Sequence, residues 1–227
     1  MSPLTLGALA GLATATLWSF SSLLFTYAGH AIGSLMVNRW RLVFAFIILL
    51  VIHTIVYGLP FPLHAGVKPF LFLALSGAVG LVIGDSLLFR SYLIIGPRNA
   101  MILMTLAPVF STLLAWVFLG EVLSLLQLTG IAITAAGVAW AISHHPRIVT
   151  QSKEGSHTLG ILLGISAGLC QATGLIFARM GLPADLPTLS GNVIRIGSSM
   201  FLIWIITLLS GQFAASTRAI LNRGAAV

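Results

Sequence analysis

The 227 residues are 58% hydrophobic and only 7% charged, with a mean hydropathy of +1.08. A water-soluble domain carries roughly 25% charged residues, so this composition excludes a soluble surface and places the chain in a bilayer. The net charge of +7 would suggest nucleic acid in a soluble protein; here the basic residues mostly mark helix ends, where they set topology and meet lipid headgroups, so no nucleic-acid partner is expected.

Long apolar runs without two-residue alternation predict helices rather than barrel strands. About 20 helical residues cross the ~30 Å hydrocarbon layer. In chain order the segments that qualify are Leu6–Ala28, Leu35–Tyr57, Pro69–Leu88, Ala100–Leu119, Leu125–Ser143, Leu159–Met180 and Leu189–Leu209. No Lys or Arg precedes Arg39, and no cleavage site follows a short apolar core, so the first is expected to be a retained helix. Gly29-His30, Gly58-Leu59-Pro60 and Gly96-Pro97-Arg98-Asn99 punctuate the connections, and Gly120-Glu121 ends the fourth helix. Pro108 is expected to kink the fourth helix and bare carbonyls toward a cavity. Gly130, Ala132, Ala136 and Gly137 give the fifth helix small-residue faces, for packing within the chain or in a homodimer. The longest polar stretch, Ser143 to Ser156, is the expected domain boundary. Ser210 to Val227 reads as a small, polar, basic tail.

The chain repeats itself. Leu6-Gly7-x-x-x-Gly11 opens the first apolar run and Leu159-Gly160-x-x-x-Gly164 opens the sixth. Asn38-x-x-Arg41 lies in the next helix of one copy, Asn192-x-x-Arg195 in that of the other. The copies are 153 residues apart at the glycines and 154 at the Asn/Arg pairs. About five spans lie between the copies, so the second enters the membrane the other way up. Such inverted repeats are an architecture of secondary transporters, with the site near the midplane between them. The predicted organisation is all-α: residues 1–143 as a five-helix repeat, 144–158 as a loop, and 159–227 as a partial second repeat of two helices. An intact duplication would run to roughly 300 residues. The chain is therefore read as truncated at its C-terminus and is expected to be inactive alone.

Ionisable groups within hydrocarbon need a stated reason. Asp85 lies inside the third helix, with Arg90 five residues on and Arg41 in the second helix as candidate partners. It reads as a polar cavity residue or as a structural ion pair. Arg41 and Arg195, at matching places, suit an anionic group on a substrate, or snorkel to the interface. Trp18, Ser21 and Ser22 cluster within the first span, and Gln171 is the repeat-mate of Trp18. They suit a binding cavity or plain helix packing. Tyr92 closes a cavity or anchors at the interface. Glu121 suits a cap or an inter-loop contact rather than catalysis. The lone Cys170 reads as an apolar packer.

No enzyme is expected. Gly84-Asp85 resembles only part of the Gly-x-Gly-Asp of intramembrane aspartyl proteases, since residue 82 is valine and no second membrane-embedded Asp forms a dyad. His-Glu-x-x-His and Gly-x-Ser-x-Gly are absent, and no metal or cofactor is expected.

Residues Gly84 to Ala141 carry Ala107-Pro108-Val109-Phe110, Phe118-Leu119-Gly120-Glu121, Gln127-Leu128-Thr129-Gly130 and Gly137-Val138. This pattern, with Arg41 and Ala45 in the second helix, resembles the EamA repeat of the drug/metabolite transporter superfamily. The resemblance covers residues 6–143 and, more weakly, 159–209. It implies a bundle of two inverted five-helix repeats that moves small-molecule metabolites, by alternating access, across the lipid bilayer of the cell membrane. A channel or a structural scaffold is the alternative.

Overall fold

The computed structural model describes residues 3–62, 65–144 and 155–219, and within them the regular elements are all helical. They are α1 (Pro3–Ile32), α2 (Ser34–Tyr57), α3 (Val67–Gly77), a π-helical segment (Ala78–Gly84), α4 (Asp85–Met104), α5 (Leu106–Leu119), α6 (Leu125–Ser143), α7 (His157–Gly181), α8 (Thr188–Leu209) and α9 (Phe213–Ala219). Among the described residues, 6 helical runs are long and apolar enough to cross a membrane, the longest being Val67–Met104 with 38 residues. The chain is an integral, multi-pass membrane protein.

That longest run is two spans. Gly96 sits at φ 80, ψ 156, a conformation glycine takes at little cost, and Pro97 with its fixed φ starts the next helix. Gly164 faces both Ser91 and Leu103, so the chain has doubled back between them. The expected bounds are corrected accordingly: the third span runs past Leu88 to Ile95, and the fourth begins at Pro97 rather than Ala100. Arg90 does not end the third helix, because it lies on the exposed side and leaves the backbone ladder intact. The fourth span breaks at Thr105, whose N–H bonds Ile102 three residues back at 3.2 Å. Pro108 has no N–H to offer the Met104 carbonyl, so the α ladder cannot run through this point.

α7 is the centre of the bundle. It runs against α3 and the first part of α4, with Gly181 on Leu73, Gly174 on Ser76 and Gly80, and Gly160 on Ile94 and Ile95. A Cβ on Gly174 would lie 3.0 Å from the Ser76 carbonyl oxygen and 3.1 Å from Gly80 Cα, so glycine at 174 lets the backbones approach closely. Ser76 Oγ uses that closeness to donate to the Gly174 carbonyl at 2.6 Å. α8 runs against α2: His53 meets Ser190, Phe46 meets Gly197, and Arg39 meets Gln212. α1 runs with α4, pairing Phe25 with Phe89 at 5.0 Å between rings and Gly29 with Leu93. The first two helices and their sequence counterparts α7 and α8 therefore point in opposite directions.

α1 and α6 are thinly packed. A Cβ on Gly7, Gly11, Gly130 or Gly137 would meet nothing within 4 Å, so the small-residue faces of α6 pack on no described residue. The chain after Ser210 is not simply a tail. Gly211, at φ 68, turns it back, and α9 docks under α2. Arg39 donates to Ser216 Oγ and to Gln212 Oε1, both at 2.7 Å, and Trp40 Nε1 donates to the Ser216 carbonyl at 2.8 Å. These donors lie more than 170 residues away in sequence, which is why local composition hides the helix. Of the expected loop 144–158, residues 145–154 lie outside the described residues.

Candidate functional site

Asp85 opens α4 directly after the π segment and is 0% exposed. A lone carboxylate there would cost several kcal/mol, so its oxygens need donors. Arg41 Nη2 of α2 donates to Oδ2 at 2.5 Å, and Gln171 Nε2 of α7 donates to Oδ1 at 2.7 Å. Three separate helices thus converge on one acid.

The π segment accounts for the next layer. A π turn holds one residue more than an α turn and throws its carbonyls out of register. Asn38 Nδ2, on α2, donates to the Leu81 carbonyl and to Ser86 Oγ, both at 3.0 Å. Ser86 Oγ in turn donates to the Val82 carbonyl at 2.5 Å. The Asn38 oxygen accepts from Arg41 Nη2 at 3.1 Å, because a three-residue spacing puts both side chains on one helix face. The Arg41 guanidinium also lies 5.4 Å from the centre of the Phe89 ring, within cation–π range.

Two cavities of about 390 and 400 Å³ open beside this cluster. Ser111 of α5, Leu175 of α7 and Arg195 of α8 line both. The second also touches Pro108 and Gln171, so it reaches the amide that holds Asp85. The first extends to Arg179, whose guanidinium pairs with Glu121 at 2.5 Å. Glu121 thereby ties the loop after α5 to the last turn of α7, a loop-to-helix pair rather than a contact between two loops. Volumes of this size hold small ligands, and the walls are mostly apolar with a few polar groups.

The structure brings Arg41, Asp85 and Gln171 into contact and sets Arg195 on the cavity wall. Arg195 and Gln171 meet over Gly80: a Cβ there would lie 2.9 Å from Arg195 Nη2 and 3.4 Å from Gln171 Oε1. Trp18 Nε1 and Tyr92 Oη both donate to Met101 Sδ at 3.2 Å, and Tyr92 stacks on Phe89 at 5.7 Å. Both pack in the apolar cluster with Phe89 and Leu103, and neither lines the two cavities described above. Ser22 is buried, but its hydroxyl is taken by the Ser19 carbonyl of its own helix at 2.8 Å. Ser21 is half-buried on α1. Arg90 stays outside the cluster: it is exposed, and five residues from Asp85 is about 140° around a helix. Asn38, Ser86, Phe89 and Ser111 were not singled out as site residues. Only Asn38 carried a signal, as the repeat-mate of Asn192.

A profile of the EamA-like transporter family matches residues 5–143, more than half of the chain. No curated protein and no solved structure matches it.

Proposed function

The chain belongs to the EamA-like transporter family, and we propose that it moves small polar or amphipathic metabolites across the cell membrane by alternating access. The observation that carries this reading is the pair of cavities at the meeting of α5, α7 and α8, one of which borders the Asp85–Arg41–Gln171 cluster through Gln171. Buried polar networks are expensive in a membrane and mark substrate or ion paths. The helices around the cluster also come from both sequence copies: α2 from the first, α7 and α8 from the second. We take residues 1–143 and 159–227 as parts of two inverted repeats, supported by the opposed directions of α1 and α7 and of α2 and α8. A site between such repeats can open to either side by rocking one against the other.

Counterflow in liposomes holding the purified protein tests this. Saturable exchange that Ser111→Phe abolishes, with an unchanged elution profile, is the expected result, because the ring would intrude on the wall that both cavities share. Flux that rises linearly with concentration would make the protein a channel. No flux from monodisperse protein would leave a scaffold.

A further inference from the structure

The charges around the cavities do not balance. Asp85 is neutralised by Arg41, and its second oxygen is taken by Gln171. Arg179, at the edge of the first cavity, is neutralised by Glu121. Arg195 lines both cavities with no acid within ion-pair distance among the described residues; Asp85, already held by Arg41, acts on it only from farther off. No Asp or Glu lines either cavity. The walls that Arg195 shares with Leu175 and Ala172 are chiefly carbon, with the hydroxyls of Ser111 and Thr112 and the amide of Gln171 among them. A guanidinium without a paired acid, on the wall of an apolar cavity inside a membrane protein, lacks one anion.

We propose that the Arg195 cavity takes a small amphipathic anion: a carboxylate or phosphate on an apolar body, with the anionic group on Arg195 and the body against Leu175 and Ala172. This rests on the transporter reading above and names its substrate class. Arg195 is the binding residue. The planar fork of guanidinium suits both oxygens of a carboxylate or phosphate, which an ammonium meets only as a point charge. Ser111, on both cavity walls, supplies a hydroxyl to a second polar group.

Thermal midpoints of the full chain in neutral detergent test the site without requiring flux. The probes are phenylacetate and phenyl phosphate against the neutral phenylacetamide. Both anions should raise the midpoint in a saturable way, while the amide should not. Arg195→Gln should weaken the anion response about tenfold or more, the loss of a charge-assisted bond, and Arg195→Lys should keep part of it. Arg90→Gln removes an equal charge from an exposed position and should change nothing. Equal protection by amide and anion, or an undiminished response in Arg195→Gln, overturns the proposal; the first comparison uses unaltered protein and stands even where a variant misfolds. Protection by phosphatidylglycerol but by no soluble anion also overturns it, by making the site a headgroup site. Anion binding without counterflow would support this site and count against the transport reading. Saturable counterflow of neutral solutes without anion binding would do the reverse.

Discussion

Asn38-x-x-Arg41 in α2 and Asn192-x-x-Arg195 in α8 are the same four-residue pattern in opposite situations. Asn38 is 0% exposed and spends its amide on the π segment and Arg41, while Arg41 is held by Asp85. Asn192 is exposed, and Arg195 borders empty volume. The glycine pairs show the same contrast with the copies exchanged. Gly160 and Gly164 of α7 press on Ile94, Ile95, Ser91 and Leu103, whereas a Cβ on Gly7 or Gly11 of α1 would meet nothing within 4 Å among the described residues. A motif therefore offers a contact without making it. One copy holds the bundle together, and the other faces a cavity or the surroundings.

The largest expected effect tests the Asn/Arg contrast. Asp85→Asn would strand Arg41 in the interior and cost about 3–5 kcal/mol. Arg195→Gln removes a cation that is in no ion pair among the described residues and leaves Asp85 its Arg41 and Gln171 partners, so stability should change by less than about 1 kcal/mol, or rise. Thermal midpoints by size exclusion measure both, and equal losses would erase the distinction. The glycine contrast comes next. Gly164→Leu should cost about 1–3 kcal/mol by forcing Leu103 and Ser91 aside, while Gly11→Leu should stay within about 0.5 kcal/mol. A destabilised Gly11→Leu would mean that α1 packs on something through this face. The smallest effect concerns Glu121–Arg179, whose side chains are 42% and 63% exposed. Glu121→Gln should cost under about 1 kcal/mol, and the difference should shrink in high salt. A loss as large as that of Asp85→Asn would show that the loop after α5 carries the bundle.

The membrane class, the helix spans and the family were legible in the residues. Hydropathy, helix length and the Pro, Leu-Gly-Glu and glycine pattern act over one or a few turns, so neighbours in sequence suffice to express them. The helix ends at Ser143 and Leu209 were likewise visible, because an apolar run gives way to polar and small residues at Ser143 and at Ser210. What a local reading could not decide was the choice among partners. Arg41, 44 residues from Asp85, and Gln171, 86 residues away, take its two oxygens, while Arg90 five residues along is turned outward. The π segment, the reversal at Gly96 that lets Gly164 touch Ser91 and Leu103 together, and the docking of α9 on Arg39 depend likewise on contacts between distant helices. Tertiary packing also decided which copy of each motif is buried, because α7 lies at the centre of the bundle and α1 at its edge. Two identical patterns carry the same propensities, and only the surfaces they meet can set them apart.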